Sequence, residues 1–131
     1  MSILEKIGSI IQEIGYDYEI DGNAIMVKGT PVSFQDENTC IQICGGICPI
    51  TPNLAPDINR VNRYFERRNA AFQCGRWVMY NGNNRVLVEQ LPTIGFNSFS
   101  KDEAEGVFKM LIMEYTNENR AVLGDLMAGN I

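Results

Sequence analysis

Two glycine-bearing turns constrain this chain more than any other feature. Asp21-Gly22 stands between strand-like residues 16–20 and 24–27, and Asn81-Gly82-Asn83-Asn84 stands between residues 72–80 and 85–91. Asp-Gly and Asn-Gly supply positive φ at both central residues of a type I′ turn, whose twist suits two antiparallel strands. In the first hairpin Tyr16, Tyr18 and Ile20 alternate with Asp17, Glu19 and Asp21, and the return strand carries Ala24, Ile25, Met26 and Val27. A third strand is read over residues 38–44. It has Thr39, Ile41 and Ile43 on one face, Cys40, Gln42 and Cys44 on the other, and ends at Gly45-Gly46.

Helical spacing frames these strands. Ser2 and Glu5 have capping-box spacing, and Leu4, Ile7, Ile11 and Ile14 recur on one face, so a helix is expected over residues 2–14 with Gly15 as its stop. Residues 47–56 hold Pro49, Pro52 and Pro56 and read as an irregular connector. A second helix is expected over residues 56–69. Ile58, Val61 and Phe65 form one face, with Arg60, Arg63 and Arg67 opposite. Residues 92–99 read as a loop. Ser100 with Glu103 opens a third helix over 101–115, carried by Ala104, Val107, Phe108, Leu111, Ile112 and Tyr115. Asn117-Glu118-Asn119 is expected to interrupt it before further helix over 121–127. The order is then α-β-β-β-α-β-β-α. Without βαβαβ alternation, this is an α+β fold whose mostly antiparallel sheet has helices packed on it. The 131 residues suit one domain, 1–131. A chain of this size should expose roughly 7,000 Å² when folded and hide about two-thirds of its unfolded surface.

The sequence contains no histidine, which removes Ser-His-Asp, Cys-His and His-metal chemistry together. No apolar run reaches the ~18 residues of a membrane span. The N-terminal stretch lacks a signal peptide's basic segment, so a cytoplasmic chain without membrane partners is expected. Net charge is −5, which disfavours general nucleic-acid binding. The charge is uneven. Residues 55–85 carry six arginines (60, 63, 67, 68, 76 and 85) against Asp57 and Glu66, a local +4 that leaves −9 elsewhere.

Four groups of residues are candidates for chemistry. Cys40, Cys44 and Cys48 are four residues apart, with Cys74 distant. Four residues of strand span about 13 Å, too far for Cys40 and Cys44 to share one ion. They read as ordinary thiols, and neither a metal nor another cofactor is expected. Gly45-Gly46 is no phosphate loop and reads as a strand end or bulge. The acidic groups near Asp17, Asp36 and Asp102 read as caps and solvated alternation, so no catalytic residue is assigned. Arg60, Arg63 and Arg67 form a possible anionic-ligand stripe, with Tyr64 beside it as a stacking aromatic. A solvated face is the commoner use of such a stripe. The second hairpin is apolar on both faces, Trp77 and Met79 on one and Val78 and Tyr80 on the other, where a sheet wet on one side should alternate. With Met110 and Met113 of the last helix, these four form the candidate dimer or partner surface.

This order resembles the YbjN-like family of bacterial proteins, which shares its fold with the class I type III secretion chaperones. The matching pieces are the first helix followed by residues 16–20 and Asp21-Gly22, and the third strand over 39–44. Ile58-Asn59-Arg60-Val61-Asn62 running into Ala71-Phe72-Gln73 and the hairpin over 76–91 also match, as does Ser100-Lys101-Asp102-Glu103. The cysteine cluster and the proline-rich connector depart from the pattern. The resemblance implies a non-catalytic, chaperone-like domain, often dimeric, in a family described as regulators of sensory transduction. The expected function is therefore protein binding: self-association as a homodimer and an unidentified protein partner, through apolar recognition. A small thiol- or metal-dependent enzyme is the alternative, as is a nucleic-acid or acidic-ligand binder using the Arg stripe.

Overall fold

The computed structural model describes residues 2–131. Helix α1 spans Ile3–Glu13, capped as expected, with Ser2 Oγ accepting from the Glu5 N–H at 3.1 Å. It buries Ile7 and Ile11 completely. Gly15 ends it in the left-handed region (φ +100°), which lets the Gly15 and Tyr16 N–H groups donate to Gln12 and Ile11 carbonyls. Strands β1 (Tyr18–Asp21) and β2 (Ala24–Val27) form the first hairpin. Asp21 pairs with Ala24, so the central residues are Gly22 and Asn23, of which Gly22 alone has positive φ; the expected type I′ turn centred on Asp21-Gly22 is corrected. In the second hairpin both Asn81 and Gly82 do have positive φ, in a three-residue loop joining β5 (Arg76–Tyr80) to β6 (Asn84–Pro92).

The structure adds two elements and extends two others. Strand β3 (Ser33–Asp36) pairs with both β2 and β4, where the sequence reading had no strand. Strand β4 (Cys40–Cys48) runs through Gly45-Gly46, which bulge instead of ending it. A Cβ on Gly46 would stand 2.5 Å from Asn119 Nδ2, so only glycine lets the bulge approach the last helix. A 3₁₀ turn at Ala55–Asp57 leads into α2 (Ile58–Ala71). The expected loop after Pro92 holds a short helix, α3 (Thr93–Ser98). Helix α4 is continuous over Lys101–Met127, because Glu118 and Asn119 are buried polar residues of its inner face and not a break.

The order is α-β-β-β-β-α-β-β-α-α, and the α+β class with an antiparallel sheet stands. The six strands lie in the order β1-β2-β3-β4-β6-β5, every neighbouring pair antiparallel. With β6 between them, β4 and β5 run parallel, and α2 makes the crossover. The helices gather on one face of the sheet. There Phe34 meets Phe108 of α4 (4.9 Å between centroids), Tyr18 packs on Gly8 of α1, and Trp77 meets Phe65 of α2 (5.5 Å). One continuous cluster of buried apolar side chains fills this layer.

A charged contact fastens the two larger helices to β5. Trp77 Nε1 donates to Glu118 Oε2 at 2.9 Å, and Arg68 of α2 donates to both oxygens of the same carboxylate at 2.6 and 3.2 Å. Asn69 completes the outer edge of β5, its carboxamide bonding both the N–H and the C=O of Trp77 (2.7 and 3.0 Å). An edge strand so capped is poorly available for pairing with another chain. Replacing Glu118 with Ala leaves the indole N–H and the guanidinium without their partner. It should lower the unfolding free energy by about 2–3 kcal/mol, read by urea unfolding on Trp77 fluorescence. A loss below about 0.5 kcal/mol would contradict this account.

Candidate functional site

The face of the sheet turned away from the helices carries the candidate site. Strand alternation assigns its residues. On β4 the helix-facing Ile41 and Ile43 are buried while Cys40, Gln42 and Cys44 are half-buried on the other side, as the alternation predicts. The register then joins all six strands in one row, Glu19–Met26–Ser33–Cys44–Val88–Arg76, with an acid at one edge and a base at the other. A neighbouring row reads Asp21–Ala24–Gln35–Gln42–Gln90. Past the bulge, Ile47 pairs with Val86 and Val86 with Val78, and Tyr80 follows on the same face. Ile47 is 45% exposed and Tyr80 48% exposed, a high cost for apolar side chains left in water. A concavity of about 290 Å³ lies here, lined by Pro31, Ser33, Gln42, Cys44, Ile47 and Tyr80.

The structure divides the predicted surface. Val78 and Tyr80 lie on the open face. Trp77 is only 3% exposed and is bonded to Glu118, so it is core and leaves the candidate surface. Met79 shares the helix-side face but is exposed at the end of its hairpin. Met110 and Met113 are exposed on α4, in the helix layer on the other side of the sheet, and do not join the hairpin in one patch. Sequence reasoning missed the exposed Ile47 and the half-buried Val88, together with Val86, which lies between Ile47 and Val78 on this face but is itself buried. The alternation Cys40–Gln42–Cys44 already pointed to their face, but its continuation past Gly45-Gly46 was hidden by the bulge.

Arg60, Arg63 and Arg67 lie exposed along α2. Their neighbours turn inward. Arg68 binds Glu118, and Arg85, 3% exposed, stacks over the Phe65 ring and donates to Asn62 Oδ1 at 2.6 Å. Tyr64 is also buried, its hydroxyl donating to Asp125 Oδ2 at 2.5 Å, so it does not stand beside the stripe as a free stacking ring. Burial, reinforced by the Asp125 carboxylate, raises the Tyr64 hydroxyl above its usual range.

All four cysteines are free thiols. Burial raises Cys44 despite an opposing hydrogen bond from Gln42 (3.7 Å), and burial raises Cys74. Burial pushes Cys48 up to about 11 against the pull of Arg85. Activated cysteines are shifted the other way. Among the described residues, no three His, Cys, Asp or Glu side chains converge as a metal-binding group. A second concavity of about 310 Å³ separates α1 from α3 and the start of α4. Of its charged rim, Lys101 pairs with Glu105 (3.9 Å) and Lys6 reaches Asn97 (3.3 Å).

Among the described residues, no helix is long and apolar enough to cross a membrane. No family model, no curated protein and no solved structure matches the chain.

With its thiol pushed up to about 11, Cys48 carries roughly 100-fold less thiolate at pH 8 than an ordinary cysteine. Cys48 in the native protein should therefore react with iodoacetamide at least ~100-fold more slowly than in urea, measured by mass spectrometry. Comparable native and unfolded rates would contradict the burial assigned to it.

Proposed function

We propose that this chain is a non-catalytic protein-binding domain of the chaperone-like or regulatory kind, as its resemblance to YbjN-like and secretion-chaperone-like proteins implies. It would act in the bacterial cytoplasm by docking protein on the open sheet face. The observation that carries the reading is the sidedness of the second hairpin. Trp77 and Leu87 are buried on the helix side, while the half-buried Val78 and the exposed Tyr80 and Ile47 lie on the opposite face, which no helix covers among the described residues. Apolar area left in water at roughly 25 cal/mol per Å² favours association once a partner of matching shape is present. The concavity, at about 290 Å³, is at the small end of the range that small-molecule sites occupy. The upward-shifted thiols support a role without covalent chemistry.

The test compares the chain with a variant carrying Val78→Asp and Tyr80→Asp, both immobilised and exposed to native bacterial lysate. The intact chain should retain protein in stoichiometric amount, and the variant should lose it while its circular dichroism is unchanged. Equal retention by both, or retention abolished by thiol alkylation alone, would contradict the reading.

A further inference from the structure

We infer that the groove between α1 and the corner joining α3 to α4 binds short apolar peptides whose two ends are free. The site lies in the helix layer and does not depend on what covers the open sheet face. Its cavity of about 310 Å³ has the size at which small-molecule sites begin. Its apolar lining comes from Ile10 of α1, Phe96 of α3, Phe99 just after α3, and Ala104 of α4. Phe96 and Ala104 are buried, while Ile10 and Phe99 are half-buried and open to an entering side chain. The charged rim is sorted along the groove. Each helical wall carries a cation, then an apolar residue, then an acid: Lys6, Ile10 and Glu13 on α1, and Lys101, Ala104 and Glu105 on α4. Steps of three and four residues keep Lys6, Ile10 and Glu13 on one helix face. The two walls run the same way. Lys6 Nζ donates to Asn97 Oδ1 at 3.3 Å, close to the start of α4, whereas Glu13 and Glu105 meet again in an adjoining hollow with Asp102 and Lys109. One end of the groove is therefore basic, and the other holds three carboxylates against one ammonium.

These charges are not placed for the good of their helices. Lys101 is the first residue of α4 and Glu13 the last of α1, each at the end where its charge opposes the helix dipole. Nor are they consumed by pairing. Lys6 and Glu13 make no ion pair among the described residues, and the Lys101–Glu105 contact is long, at 3.9 Å, with the lysine 71% exposed. Such a pair is weak and opens at little cost. Seven residues of helix set Lys6 and Glu13 about 10 Å apart along the groove. An extended tripeptide spans about 10 Å between its ends. Its carboxylate meets Lys6 and Lys101, its ammonium meets Glu13 and Glu105, and the side chains of one of its faces lie against Phe96 and Phe99. An alkyl acid answers the cations but turns its apolar tail to Glu13. An alkyl amine has the converse fault. The order of charges selects a molecule that is apolar in the middle and charged at both ends.

The experiment is an amide chemical-shift titration of the intact chain, Lys6→Gln and Glu13→Gln by nuclear magnetic resonance, the same spectra checking that each variant is folded. The probes are trileucine, its C-terminal amide, its N-acetyl form, triglycine and octanoate. Trileucine should shift the amides of α1 and of the start of α4. Blocking either end should weaken binding roughly fivefold, and triglycine, with the same ends and no side chains, should bind negligibly. In Lys6→Gln the free and amidated peptides should bind alike while the penalty for acetylation persists, and Glu13→Gln should show the reverse. Trileucine leaving the groove amides unmoved would overturn the inference. So would blocked peptides binding as well as the free one, octanoate binding as tightly as trileucine, or both variants keeping the intact chain's preference for free ends.

Discussion

The Glu118 carboxylate holds the arrangement of layers in place. It lies on α4, takes the indole N–H of Trp77 from the sheet and the guanidinium of Arg68 from α2, and so fixes both large helices to the same side of β5. A carboxylate this deep is stable only when its lone pairs are met by donors. Among the described residues, no buried side-chain nitrogen or oxygen lacks a partner. With α1 over β1 to β3, α4 over β4 and α2 over β5, the helices are used up on one face. The opposite face is left to strands whose residues, in the rows described, are uncharged in the middle and apolar past the β4 bulge, where Ile47, Val78 and Tyr80 lie.

That sidedness links the packing to the proposed function. Charged and hydrogen-bonding residues that chemistry could draw on are occupied in holding the helical layer: Arg68, Arg85, Tyr64 and Asn69 each have a partner within the fold. The thiols are shifted towards the protonated form by the same burial. What remains outward on the sheet is a surface suited to another surface.

Much of the framework was legible because local rules decide it. Ser2 with Glu5 and Ser100 with Glu103 cap their helices as their spacing requires. The two glycine turns sit inside real hairpins. The misses share a cause, which is that tertiary contacts outvoted local signals. Strand β3 has four residues and one fully buried apolar group, Phe34, too little for a periodicity to register. Asn117-Glu118-Asn119 looks like a helix break until Glu118 is seen as the partner of Trp77 and Arg68. Gly45-Gly46 looks like a strand end until the approach of Asn119 and Tyr115 is seen to demand glycine. For the site, the two-faced hairpin was visible in the alternation of residues 77–80. Which face the helices cover was not, because that depends on where α2 crosses.

The central claim is that the helix-free face of the sheet is the surface this protein uses. Methionine oxidation by hydroxyl radicals, read on the chain alone and on the chain isolated with the lysate protein it retains, tests it most directly, because Met26 lies on that face whereas Met110, Met113 and Met127 lie on α4. The account predicts that Met26 becomes protected in the complex while the three helical methionines do not. Protection of the helical methionines with Met26 unchanged would contradict it.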